Sequence, residues 1–259
     1  MEIALGLILP FVGTTLGAAM VFLLRDKLNN KVEKAIIGFA SGVMIAASIW
    51  SLIIPSISQS QETYGNFSWV PATVGFMVGI IVLLILDTII PHLHHNAKDP
   101  EGIHSHMSKN SMMFLAVTLH NVPEGMAVGV ILAAAINGTT NITMTAALSL
   151  AIGIAIQNFP EGAIVSLPLK EEGQPKWKAF LFGTLSGAVE PAAAGLTILL
   201  TSFITSILPY LLSFAAGAMM YVVVEELIPD LQTGKHSNVG VLGFAIGFVI
   251  MMILDIALG

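Results

Sequence analysis

Eight stretches of about twenty apolar residues, separated by polar connections, restrict this chain to very few folds. They lie at about 3–24, 35–54, 71–91, 112–136, 142–168, 178–203, 208–229 and 239–257, each long enough as a helix to cross about 30 Å of hydrocarbon. Lipid offers a backbone no hydrogen bonds, so a spanning segment must be a helix or part of a closed barrel. The stretches lack the alternating polarity of barrel strands, which leaves helices. With 55 % hydrophobic residues, 10 % charged and a mean hydropathy of +0.86, these 259 residues do not suit a soluble domain. The expected fold class is an all-α membrane protein, a single transmembrane domain over 1–259 with a histidine-rich loop at 92–111.

Basic residues orient such a chain. Arg25, Lys27, Lys31 and Lys34 follow the first stretch, Lys98 and Lys109 the third, Lys170, Lys176 and Lys178 the fifth, and Lys235 the seventh, which accounts for all ten Lys and Arg. The positive-inside rule then puts these loops in the cytoplasm and both termini outside, as expected for a multi-pass protein of the cell (inner) membrane. The first stretch has no basic residues before it and is long for a signal peptide, so it is expected to be a retained helix. The absence of cysteine excludes disulfides, iron–sulfur clusters and thiolate zinc sites.

Ionisable residues well inside the stretches are few. Glu124, Glu161, Glu190, Glu225 and Glu226 lie there with His120, and no Lys or Arg accompanies them. Charged groups in hydrocarbon are expensive, so acids without a fixed base need protons or mobile cations. Two are framed by a near-repeat, His120-Asn121-Val122-Pro123-Glu124-Gly125 and Gln157-Asn158-Phe159-Pro160-Glu161-Gly162. His120 and Glu124 are four residues apart, as are Gln157 and Glu161, so each pair faces one way on its helix. Pro123 and Pro160 remove the hydrogen bonds to the carbonyls of Leu119 and Ile156. Gly125 and Gly162 permit close helix approach. Counting rise per residue puts both pairs and Glu190 at one depth near the midplane.

The donors at that depth are one imidazole, three carboxylates and the carboxamides of Asn121, Gln157 and Asn158, with Met44 as an added thioether. Such a set suits borderline divalent ions: zinc, with cadmium, iron(II), manganese and cobalt. In the loop, His92, His94, His95, His104 and His106 are candidates for weak metal binding. Asp87, Glu225, Glu226 and Asp230 are candidates for an exit path, and Asp255 for recruiting cations at the entrance.

These residues resemble the ZIP (Zrt-, Irt-like protein) family of divalent metal transporters, in its short bacterial form, over essentially the whole chain. The resemblance implies uptake of zinc or related ions through a binuclear centre. His120, Glu124, Gln157, Glu161 and Met44 would form one metal site, and Asn121, Asn158 and Glu190, sharing Glu124 and Glu161, the second. It also implies homodimers, and an elevator motion of helices 1, 4, 5 and 6 against helices 2, 3, 7 and 8. The chain departs from the pattern at two places. Gln157 and Asn158 stand where some members carry His and Asp, and Glu225-Glu226 where some carry His-Glu.

The transported metal is then substrate; no catalytic cofactor, enzyme activity or nucleic-acid partner is expected. The alternative is an intramembrane metal-dependent hydrolase, for which a binuclear centre would be adequate. The chain lacks a His-Glu-x-x-His pair and a Gly-x-Ser-x-Gly elbow. A carrier of organic anions would want a Lys or Arg at the midplane.

Overall fold

A computed structural model describes residues 1–23, 29–93, 100–105, 107–138, 142–171, 173–203, 207–232 and 237–258. Eight helices in it are long and apolar enough to span a membrane: α1 (Glu2–Leu23), α2 (Asn30–Phe67), α3 (Trp69–Ile89), α4 (Asn110–Asn137), α5 (Met144–Glu171), α6 (Lys176–Leu200), α7 (Leu208–Gln232) and α8 (Val239–Leu258). Their faces sort by burial as the bilayer requires. α3 and α8 expose rows of Val, Ile and Leu, whereas α4 and α5 are mostly enclosed.

The most extensive pairings are α1 on α5, α4 on α6, α2 on α8 and α3 on α7. α1, α4, α5 and α6 thus make one group and α2, α3, α7 and α8 the other, joined chiefly where α4 meets α7 and α5 meets α2. Glycine sets the closeness of one crossing beside the acids. A Cβ on Gly125 would stand 2.8 Å from the Cα of Glu190, so only glycine lets α4 lie this near α6.

Proline punctuates three of the helices. A proline ring clashes with the carbonyl four residues earlier and offers that carbonyl no N–H. Ahead of Pro55 the chain widens into a π turn at Ser48–Ile53, and ahead of Pro229 into another at Val223–Leu227. In α6 the helix breaks at Ala188, between Lys176–Gly187 and Val189–Phe203, so that Glu190-Pro191 opens a new helical segment. The helix stays unbroken through Pro123 in α4 and Pro160 in α5.

α2 departs most from the apolar run at 35–54. It continues to Tyr64 through the polar segment Ile54–Tyr64 and then a short 3-10 turn. Serines make this possible: Ser56 donates to the Pro209 carbonyl at 2.6 Å and Ser60 to the Ser56 carbonyl at 2.8 Å, both buried. These bonds pair buried polar groups where the segment packs on the start of α7.

Candidate metal centre

α4 supplies His120, Asn121 and Glu124, α5 supplies Gln157, Asn158 and Glu161, and α6 supplies Glu190; all seven side chains are buried, none more than 5 % exposed. Tertiary contacts join the three helices at this level. Gln157 donates to Glu124, and its amide also reaches the Asn158 Oδ1 at 3.5 Å. Asn121 donates to the Ser186 carbonyl at 3.1 Å, just before the break in α6. Asn158 lies beside both Glu124 and Glu190, and Glu124 is within electrostatic reach of Glu161 and Glu190. Glu190 is held from a fourth helix: the Thr14 hydroxyl of α1 donates to its Oε1 at 2.8 Å.

Much of the acceptor capacity here goes unused. Asn121 Oδ1, Glu124 Oε2, Gln157 Oε1, both oxygens of Glu161 and Glu190 Oε2 are fully buried without a well-formed hydrogen bond. A buried acceptor with no donor costs about 1–3 kcal/mol and more if charged, so six oxygens in one place form a strongly unfavourable arrangement unless something positive joins them. A divalent cation takes oxygen and imidazole nitrogen donors of this kind.

The cluster opens toward one end of the bundle. A cavity of about 50 Å³ is walled by His120 and Glu161 at its head and by Leu93, Glu226, Leu227 and Asp230 further out, at the end where α4 begins and α7 finishes. Among the described residues, no Lys or Arg stands in that wall. It is large enough for several waters. Glu226, in the π turn of α7, meets His120 Nδ1 at 2.9 Å, while its neighbour Glu225 is exposed. In the other direction the way is filled: Ala127 and Ile131 of α4, Leu150 and Ile154 of α5, and Leu212, Ala216 and Met219 of α7 are packed with almost no exposure. Met44 is fully buried in the same apolar cluster and is absent from the cavity wall.

Two further polar groups flank the centre. Asp87 pairs with His92 Nε2 at 2.9 Å and accepts from the Tyr221 hydroxyl at 3.0 Å. The His92 Nδ1 is 2.8 Å from the Ile90 carbonyl. A short antiparallel bridge folds Glu101 back onto His92, so that Asp87, His92 and Glu101 each present a ligand atom within 4.8 Å of the others. A smaller cavity of about 10 Å³ joins Asp87, His92 and Tyr221 to His120 and Glu226. His104 is exposed; His94, His95 and His106 lie outside the described residues. At the opposite end, Ser51 donates to Asp255 Oδ1 at 2.6 Å beside a cavity of about 170 Å³, while Asp255 Oδ2 is buried without a partner.

Thr14, Ser51, Ser186 and Tyr221 leave no mark in the sequence pattern, and Glu101 shows there only as an acid of the histidine-rich loop. A lone hydroxyl on an apolar helix carries no periodic signal, and the Glu101 contact depends on a loop turning back on itself.

The family model described as ZIP Zinc transporter matches residues 101–255. The chain is 34 % identical to Zinc transporter ZIP11 of Xenopus tropicalis over 98 % of this chain and 96 % of that one. It is 34 % identical to Zinc transporter GufA of Myxococcus xanthus over 95 % and 96 %, and 35 % identical to Zinc transporter ZIPB of Bordetella bronchiseptica over 96 % and 79 %. An eight-helix bundle with paired Asn-x-Pro-Glu-Gly segments, matched along nearly its whole length by zinc transporters, belongs to the ZIP zinc transporter family.

Proposed function

We propose that this chain carries zinc into the cytoplasm by alternating access, through a centre built from His120, Asn121, Glu124, Gln157, Asn158, Glu161 and Glu190, with Met44 as an added donor. The observation that carries the proposal is the set of six buried side-chain oxygens without a well-formed hydrogen bond, on helices with no Lys or Arg well inside their apolar stretches. The centre holds enough donors for two ions that share Glu124 and Glu161. Cadmium, iron(II), manganese and cobalt are further substrates consistent with these donors.

The direction of transport rests on the basic loops, which favour the end bearing Lys109 and Lys170 as cytoplasmic and both termini as outside. The cavity below His120 then leads inward, and the packed apolar residues above close the outer route. The ion reaches Asp255 first, passes to the centre when that packing opens, and leaves past Glu226, Asp230, Asp87 and His92 toward His94, His95, His104 and His106. Glu225 stands at the rim of the same end. Movement of α1, α4, α5 and α6 against the other four helices is supported by the grouping of the helix contacts. The working form is a homodimer in the inner membrane, each protomer one transmembrane domain. Metal and protons compete for the same carboxylates, so acidification weakens binding and favours release. Nothing among the described residues or the relatives favours the hydrolase reading.

Zinc uptake into proteoliposomes tests the proposal. Glu124→Ala, Glu161→Ala and His120→Ala should each lower uptake by more than about tenfold, as loss of metal-site groups generally does. Unimpaired uptake in all three would overturn it.

A further inference from the structure

Thr14 has no place in the proposed ligand set, yet it touches it. It is fully buried in α1, a helix that supplies none of the acids of the centre. Its hydroxyl has one hydrogen and two acceptors nearby: Glu190 Oε1 at 2.8 Å and the Pro10 carbonyl at 3.4 Å. The shorter contact is at the usual length of an O–H···O bond, so the carboxylate takes the hydrogen. Space around that bond has been cleared. A Cβ on Gly187 would stand 2.7 Å from Thr14 Cβ and 2.9 Å from Glu190 Oε1, and one on Gly162 would collide with the Thr14 backbone. α1, α5 and α6 therefore close on the Thr14–Glu190 contact as tightly as glycine allows.

The consequence concerns how Glu190 can meet a metal. One of its oxygens is engaged by Thr14, and the other, Oε2, is buried and unpartnered. A carboxylate held this way offers a cation Oε2 freely, while the Thr14 bond occupies one lone pair of Oε1 and fixes its direction. Zinc, with its usual four ligands, is satisfied by one-oxygen carboxylates. Larger ions need more donors and draw on two-oxygen carboxylates to reach them.

We propose that Thr14 is a positioning residue that fixes Glu190 as a one-oxygen donor and thereby biases the centre toward small divalent ions. This rests on Glu190 being a ligand, as proposed above. Removing the hydroxyl frees Oε1 to swing onto the metal, which improves the site for a larger ion more than for zinc.

The test compares zinc with cadmium, by direct binding to the purified chain and by competition uptake in proteoliposomes, for wild type, Thr14→Val, Thr14→Ser, Glu190→Gln and the Thr14→Val/Glu190→Gln double variant. Thr14→Val should shift the zinc-over-cadmium preference toward cadmium by about tenfold, the scale of one hydrogen bond to a charged group. Thr14→Ser should restore it, and Thr14→Val should add nothing in the Glu190→Gln background. A preference ratio is read on folded protein only, and Thr14→Ala carries the same expectation where valine does not fold. If Glu190→Gln alters binding or preference while Thr14→Val changes neither, or if serine behaves as valine, the positioning role is wrong and the ligand role of Glu190 stands. If Glu190→Gln leaves both binding and preference unchanged, both readings fall.

Discussion

Glu161 is buried with neither carboxylate oxygen hydrogen-bonded, beside a cavity that His120 and Glu226 also line. Without metal such a residue opposes folding, because an ionised carboxylate in this setting has lost its water and gained nothing equivalent. Function and stability should therefore separate here. Glu161→Gln keeps the shape and removes the charge. In chelator it should melt a few degrees above wild type, on the basis of about 2–4 °C per kcal/mol for a chain of this size, while its zinc-dependent rise in melting temperature falls away. A lower melting temperature in chelator would show that Glu161 is already compensated inside the protein. Much of this centre was legible as residues, since acids without bases inside apolar stretches are conspicuous. What escaped notice were hydroxyls and carbonyls. Thr14 and the Ser186 carbonyl matter only through the neighbours they touch, and neither neighbour is close in sequence.

The helices divide labour at the scale of the element. α4 and α5 carry most of the proposed ligands, and α6 brings Glu190 to them because Gly125 lets two backbones nearly meet. Gly125→Val should force α4 from α6 and separate Glu190 from Glu124. The chain should still insert, with zinc bound per protomer reduced and uptake lowered by more than about tenfold. Unchanged stoichiometry in equilibrium dialysis would show that the close approach is dispensable. Apolar length pointed to eight long helices, because that signal comes from the bilayer itself. It could not find the long polar end of α2, where Ser56 bonds across to α7, nor the π turns. Those turns answer to Pro55 and Pro229, and the second sets which of two adjacent acids faces His120.

Across the whole molecule the arrangement is asymmetric, with water-sized space on one side of the ligands and packed side chains on the other. The chain has no cysteine, so single cysteines report access without background. Val117→Cys, in the cavity wall, should react with a membrane-impermeant maleimide from the side bearing Lys109, and bound zinc should slow it. Ile154→Cys, in the packed layer, should react from neither side in the metal-free protein. Labelling of Ile154→Cys from the other side would place the ligands in an outward-open state. The sequence by itself determined that this chain forms eight helices long and apolar enough to cross a membrane, with acids and no bases well inside the apolar stretches, because hydrocarbon penalises unpaired backbone and unpaired charge wherever they occur. Tertiary structure alone decided which oxygens stay unpaired, which side the ligands open to and which hydroxyl holds Glu190. Those depend on distances between helices that are far apart in the chain, set by packing rather than by composition.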